Sequence, residues 1–221
     1  MRAFRLSSIS LAVLIAFTLL VSCASKDEPG FSFAVVSDSH TGGTLKTGKL
    51  VYKRLLEQIN ERQPDLLVHC GDWIVGPSYD KAGDATADTF LTYTATLDSA
   101  IAFYPVLGNH EGDYEDYAYS MALYPEYFAN GGWYSFDHKR AHFFVIENNS
   151  DASDSTLRGY RTCRPNGGIN TPGSPQRAWL DADLAARPAD TRWTFGFGHR
   201  SYYGAEGYSG RKNVYEGRSG E

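Results

Sequence analysis

The feature that most constrains this chain is an alternation of short apolar runs with longer segments of helical spacing, in which each run stops at a polar cluster. Residues 31–36 (FSFAVV) read as a buried strand and stop at Ser37-Asp38-Ser39-His40. Residues 45–62 carry Leu50, Val51, Leu55, Leu56 and Ile59 at helical spacing, and Pro64 closes that helix. Residues 65–70 (DLLVHC) read as a second strand, stopping at Gly71-Asp72. Residues 85–100 return to helical spacing through Phe90, Tyr93, Ala95 and Leu97, although their threonines disfavour a helix. Residues 101–107 give a third strand, whose Pro105 calls for an edge or a bulge, and which stops at Gly108-Asn109-His110-Glu111.

The second half changes character. Residues 133–136 and 142–146 read as strands joined by the hairpin-length connection 137–141. Residues 148–175, rich in Ser, Asp, Gly, Asn and Pro, read as a long surface loop. A short amphipathic helix over 176–186 leads to a last strand over 193–197, which stops at Gly198-His199. A βαβαβ start followed by hairpin strands and a further αβ unit is an α/β or α+β fold with helices over sheets. Of the 221 residues, 42% are hydrophobic, enough for a packed core. The 21 basic and 26 acidic side chains leave a net charge of −5, which excludes a general nucleic-acid coat. Three cysteines are too few for a disulfide scaffold, and Cys70, following an apolar run, reads as a buried unpaired thiol.

Residues 1–22 read as a targeting segment, with Arg2 and Arg5 ahead of an apolar run over 9–21 that is short for a membrane span. Leu20-Val21-Ser22-Cys23 resembles the lipobox of bacterial lipoproteins. That resemblance implies acylation of Cys23, a tether over 23–30, and a protein held by lipid in the bacterial cell envelope, facing the periplasm or exterior.

Strand ends that each deliver a carboxylate, amide or imidazole are what a metal site needs. Residues i and i+2 of a strand point the same way, so Asp38 and His40 address one point if the extended backbone persists past Val36. Asp, His and Asn without thiolate suit zinc, manganese or iron. The five candidate ligands Asp38, His40, Asp72, Asn109 and His199 exceed what one catalytic zinc takes from protein, which points to two ions sharing a carboxylate. Arg200, next in the chain, reads either as a solvated or salt-bridged arginine or as a contact to an anionic oxygen such as that of a phosphate.

The ordered set Asp38-x-His40, Gly71-Asp72, Gly108-Asn109-His110-Glu111 and Gly198-His199 resembles the calcineurin-like metallophosphoesterases, and most closely their purple-acid-phosphatase-like branch. Phe143 to Glu147, Gln176 to Leu180 and Gly198-His199-Arg200 are similar to phrases of that branch. The resemblance implies a two-sheet β-sandwich flanked by helices, with residues 31–221 as the catalytic domain. It implies two divalent or trivalent ions (Zn, Mn or Fe), with Asp38 and His40 on the first, Asn109 and His199 on the second, and Asp72 bridging. It implies hydrolysis of phosphate esters by a metal-bridging hydroxide, with His110, oriented by Glu111, protonating the leaving oxygen.

Two departures from the family pattern bear on this reading. Purple members carry a tyrosine three residues after the bridging aspartate; Val75 stands there, and Tyr79 lies four residues further on. The family's downstream Gly-His-x-His does not follow His199. The expectation is therefore a chain cut short, with its second sheet unfinished, or a natural deletion that binds metal weakly. The reading of another class is a non-catalytic envelope lipoprotein that keeps the fold and binds a partner or a stray metal. Residues 43–49 match most of a phosphate-cradling loop, but Leu50 stands where a Ser or Thr should hold magnesium. His69, His138 and His142 read as packing or surface residues, and the tyrosines between 114 and 127 as cover for a core edge.

Overall fold

In a computed structural model the described residues are 30–41, 46–74, 83–112, 121–129, 131–149, 169 and 173–200. The chain divides into Met1–Phe31 and Ser32–Glu221, and all the secondary structure described lies in the second unit. The targeting segment, Cys23, Val75, Tyr79 and most of the predicted loop 148–175 lie outside the described residues.

Two three-stranded sheets carry the fold. Strands β1 (Phe33–Val36), β2 (Leu66–His69) and β3 (Ala102–Pro105) run parallel in the order β1-β2-β3. Between them run α1 (Lys46–Arg62) and α2 (Gly83–Thr94), the crossovers that parallel pairing requires. Short helices follow, among them α3 (Asn109–Gly112) and α4 (Pro125–Phe128). The second sheet joins an antiparallel hairpin, β4 (Tyr134–His138) and β5 (Ala141–Val145), to β6 (Trp193–Phe197), which pairs parallel with β5 after α5 (Pro175–Ala186).

Strand alternation decides what each face buries. Phe33, Val68 and Tyr104 lie on one face of the first sheet; Phe136, Phe143 and Phe195 align across the second. The two faces meet through aromatic rings: Phe33 sits edge-on to Phe143 (5.6 Å) and Phe195 (5.1 Å), and Tyr104 stacks on Phe136 at 3.5 Å. On the outer face of the first sheet His69 meets Tyr52 of α1 and Phe90 of α2, each at 5.6 Å. On the outer face of the second, Asp183 of α5 accepts from Ser135 Oγ at 2.5 Å and meets His142 Nε2 at 2.9 Å. The order helix, sheet, sheet, helix is the expected two-sheet sandwich.

Several local expectations shift. The buried stripe of α1 is Tyr52, Leu56 and Ile59, whereas Leu50 and Val51 are 65% and 58% exposed. Spacing of four and three keeps residues 52, 56 and 59 on one side; 50 and 51 fall outside it. The α2 helix stops at Thr94, six residues early, where Asp98 Oδ1 accepts from Ala100 N in a turn that competes with the helix. The hairpin turn is Lys139-Arg140, tighter than predicted, with Lys139 left-handed at φ 53°. Among the described residues β3 pairs only with β2, so Pro105 sits on an edge strand there.

Asp65, just ahead of β2, ties the sheets together. Its Oδ2 accepts from Ser32 N (2.9 Å), and its Oδ1 faces Lys139 Nζ (3.2 Å) and His138 Nε2 (3.3 Å) at the hairpin turn. The Ser32 amide, with Lys139 and His138, holds its carboxyl at about 2, below the ordinary 3.8. A depressed folded-state value means this stability is complete above about pH 4 and lost as pH falls toward 2. Asp65 is partly exposed, so Asp65→Asn should cost about 1 kcal/mol at pH 7 and much less at pH 2, read by urea unfolding at both pH values. An equal loss at both would show that charge plays no part.

Candidate metal centre

All four strand-end clusters converge beyond the carboxyl ends of the strands, but not by continued extension. The extended conformation ends at Val36, and Asp38 and His40 both have left-handed backbones, φ 55° and 41°. Asp72 is left-handed too, at φ 52°. Such conformations cost about 1–3 kcal/mol each in residues other than glycine, and they gather at functional sites. The segment stays beside the end of β2 through Asp38 N to Gly71 O, His40 N to Asp72 O and Thr41 N to Trp73 O, at 2.9–3.0 Å.

Two glycines let the loops touch. A side-chain carbon on Gly71, itself left-handed at φ 84°, would lie 2.7 Å from Gly108 Cα and 2.8 Å from His199 Nδ1. One on Gly108 would collide with the backbone nitrogen and Oδ1 of Asp72. Glu111 fastens this contact. Fully buried, its Oε2 accepts from Asp72 N and Gly108 N, both at 2.7 Å, and its Oε1 from Ile74 N at 3.1 Å. Burial and then the charge of Asp72 push the Glu111 carboxyl up to about 8, against the pull of the three amides. Expected to orient the ring of His110, Glu111 serves the backbone of two ligand loops and is closed to solvent, so no substrate reaches it.

Asp72 is the hub. It is 4% exposed, and its two oxygens face different partners. Oδ1 lies 3.4 Å from His199 Nε2 and accepts from His110 N at 2.9 Å; Oδ2 lies 3.7 Å from His40 Nε2 and 3.8 Å from His110 Nε2. Among the described residues, two groups have ligand atoms close enough to share an ion: His40, Asp72 and His110, and Asp38, Asp72 and His199. Asp72 belongs to both. The sequence reading placed Asp38 with His40, whereas here Asp38 groups with His199, and His110 stands in the group with His40. Asp38 Oδ1 is still only 3.8 Å from His40 Nε2, and the His40 and His110 rings meet edge-on at 4.7 Å.

The donor set fits a cation. His199 Nδ1 hydrogen-bonds the Cys70 carbonyl at 2.8 Å, which assigns the proton to Nδ1 and turns the Nε2 lone pair inward. Nε2 meets Asn109 Oδ1 at 3.1 Å as well as Asp72 Oδ1. Three lone-pair donors facing one another repel unless positive charge stands between them. Burial opposes charging His199, yet Asp72 more than offsets it and pulls its pKa up, so without a metal ion a proton on the ring can supply that charge. For Asp72 burial likewise opposes charge, and His199 and His110 outweigh it, so the carboxyl is held low.

Three supports were not legible in the sequence. Asn148, taken for the start of a surface loop, is buried; its Nδ2 donates to Arg200 O at 2.7 Å and its Oδ1 accepts from Arg200 N at 3.1 Å. It thereby clamps the backbone just past His199. Buried Asn149 donates to Leu107 O at 2.9 Å, beside the Gly108 loop. Ser39 Oγ meets the buried ring of His69, Nε2, at 2.9 Å, behind the first ligand pair. Their only sequence signal was polarity inside or next to apolar runs.

A family model described as calcineurin-like phosphoesterase matches residues 31–218. No curated protein matches the chain. Among solved structures, a dimetal phosphatase from Danio rerio is similar at 16% identity and a TM-score of 0.56, over 80% of this chain and 71% of that one. A purple acid phosphatase from yellow lupin seeds is similar at 14% identity and a TM-score of 0.55, over 80% of this chain and 31% of that one. At such identities the likeness is one of fold.

Gly108→Ala forces a carbon into the Asp72 backbone. It should cost about 3 kcal/mol in urea unfolding and abolish metal uptake by the full chain. An unchanged unfolding midpoint would show that the loops are not in contact.

Proposed function

Because the chain belongs to the calcineurin-like phosphoesterase family, we propose that it hydrolyses phosphate esters with two metal ions held at the converging strand ends. Family and fold together point to metal-dependent phosphoester hydrolysis. The observation that carries the reading to these residues is the division of Asp72: one oxygen faces His199 and the other faces His40 and His110. A carboxylate so placed is the one to lie between two cations. Asp38, His40, Asp72, Asn109 and His199 would hold them, the ions being zinc, manganese or iron. When bound, such a pair acidifies water toward neutral pH and neutralises charge on the phosphoryl oxygens.

The chain's own groups supply the rest. His110 is partly exposed, at 23%, and its Nε2 stands 3.8 Å from the hub carboxylate, so it reaches a substrate placed over the centre. Its role is to deliver a proton to the leaving oxygen, an imidazole being suited to that near neutral pH. Asp72 orients it through the bond from His110 N. Arg200 follows His199 directly and is assigned to a phosphoryl oxygen, its backbone fixed by Asn148.

With an aryl phosphate and added manganese or zinc, Asp72→Asn should abolish turnover and His110→Ala should lower kcat by 10²–10⁴, about the range of general acid catalysis. Rates equal to wild type in both would refute the assignment.

The anchored setting is part of the proposal and rests on residues 1–23 alone. Labelled palmitate should enter the protein in a bacterial host and be lost in Cys23→Ser; equal labelling of both would rule out acylation at Cys23.

A further inference from the structure

Strand β2 reads Leu-Leu-Val-His, and its fourth residue breaks an apolar strand. His69 is fully buried, its ring against Tyr52 and Phe90. Its Nδ1 is buried without a hydrogen-bond partner. Burial pushes its pKa down to about 3, so the imidazole is neutral in use. A leucine would fill such a site with no unpaired polar atom. The imidazole weakens the core unless its other nitrogen does something the fold needs.

That nitrogen, Nε2, meets Ser39 Oγ at 2.9 Å. Ser39 is the residue between Asp38 and His40, the two consecutive candidate ligands with left-handed backbones. Its hydroxyl donates to Trp73 O at 3.2 Å. Ser39 Oγ and His69 Nε2 share one hydrogen bond whichever of the two donates it, since the imidazole can serve as donor or acceptor there. The relay joins the interior of β2 to the middle of the first ligand pair. Thr41 Oγ1, at 2.7 Å from the same Trp73 carbonyl, secures the far end of the segment. Ser37 secures the near end through the Cys70 carbonyl at 3.1 Å.

We propose that His69 is a positioning residue of the metal centre, holding Asp38 and His40 in their ligand-presenting conformation through Ser39. The inference rests on reading the centre as a metal site.

The test uses the full chain and Mn²⁺ alone, with free Mn²⁺ followed by electron paramagnetic resonance and the unfolding midpoint measured on metal-free protein. Ser39→Ala and His69→Leu should each weaken Mn²⁺ binding about tenfold, as loss of a group that orients a ligand does. The double variant should be no weaker than either single one, because both act through one relay. His69→Leu should melt at or above the wild-type temperature, so that affinity and stability part company. His69→Gln, which keeps a donor, should recover most of the affinity. Should His69→Leu fail to fold, Ser39→Ala decides alone. Wild-type affinity in Ser39→Ala, or in His69→Leu, overturns the proposal and makes His69 a core residue. Absence of Mn²⁺ uptake by the wild type sinks the metal reading itself, and this inference with it.

Discussion

The buried carboxyl group of Glu111 is the interaction on which the rest of this structure depends. A buried carboxyl is costly unless its oxygens find donors, and here three backbone amides supply them: Asp72, Ile74 and Gly108. Those amides belong to the loops after β2 and β3, so one side chain locks two strand ends that the chain reaches far apart in sequence. Glu111 stands one residue after His110 and two after Asn109, so locking it also places both of them over Asp72. Gly71 and Gly108 make the contact sterically possible, since a side chain on either would push the loops apart.

Around that lock the chain accumulates local cost. Asp38, His40 and Asp72 hold left-handed backbones without being glycine. His199 Nε2 lies 3.1 Å from Asn109 Oδ1 and 3.4 Å from Asp72 Oδ1. The crowded polar atoms are favourable where positive charge, a proton or a metal ion, stands among them. The supports are correspondingly rigid: sheet hydrogen bonding carried past β1 to Thr41, the Cys70 carbonyl on His199, and the Asn148 amide on Arg200.

The two sheets are what bring the last candidate ligand in. His199 follows β6, in the other sheet from Asp38, Asp72 and Asn109. Its arrival depends on the aromatic interface in which Phe33 and Tyr104 of one sheet meet Phe136, Phe143 and Phe195 of the other. Rings of this size bury large apolar areas in fixed geometry, which gives the sandwich its register. Asp65, bonded both to Ser32 and to the hairpin turn, adds a polar tie at the opposite end of the sheets from the metal centre.

The sequence by itself determined the βαβαβ start, the hairpin and the set of polar strand ends, because each is written in local periodicity, while Pro105 left an edge and a bulge both open for β3. It also marked Asp38, His40, Asp72, Asn109 and His199 as a set, because they recur at equivalent places. It did not determine how they group. The expected persistence of extended backbone past Val36 fails, and Asp38 comes within reach of His199 as well as of His40. Nor did it show that Glu111 braces backbone, that Asn148 is interior, or that the exposed side of α1 carries Leu50 and Val51. Those outcomes depend on which amides go unpaired and which surfaces meet once two sheets have packed. Partners that lie tens of residues away leave no trace in local spacing, so only the tertiary structure decides them.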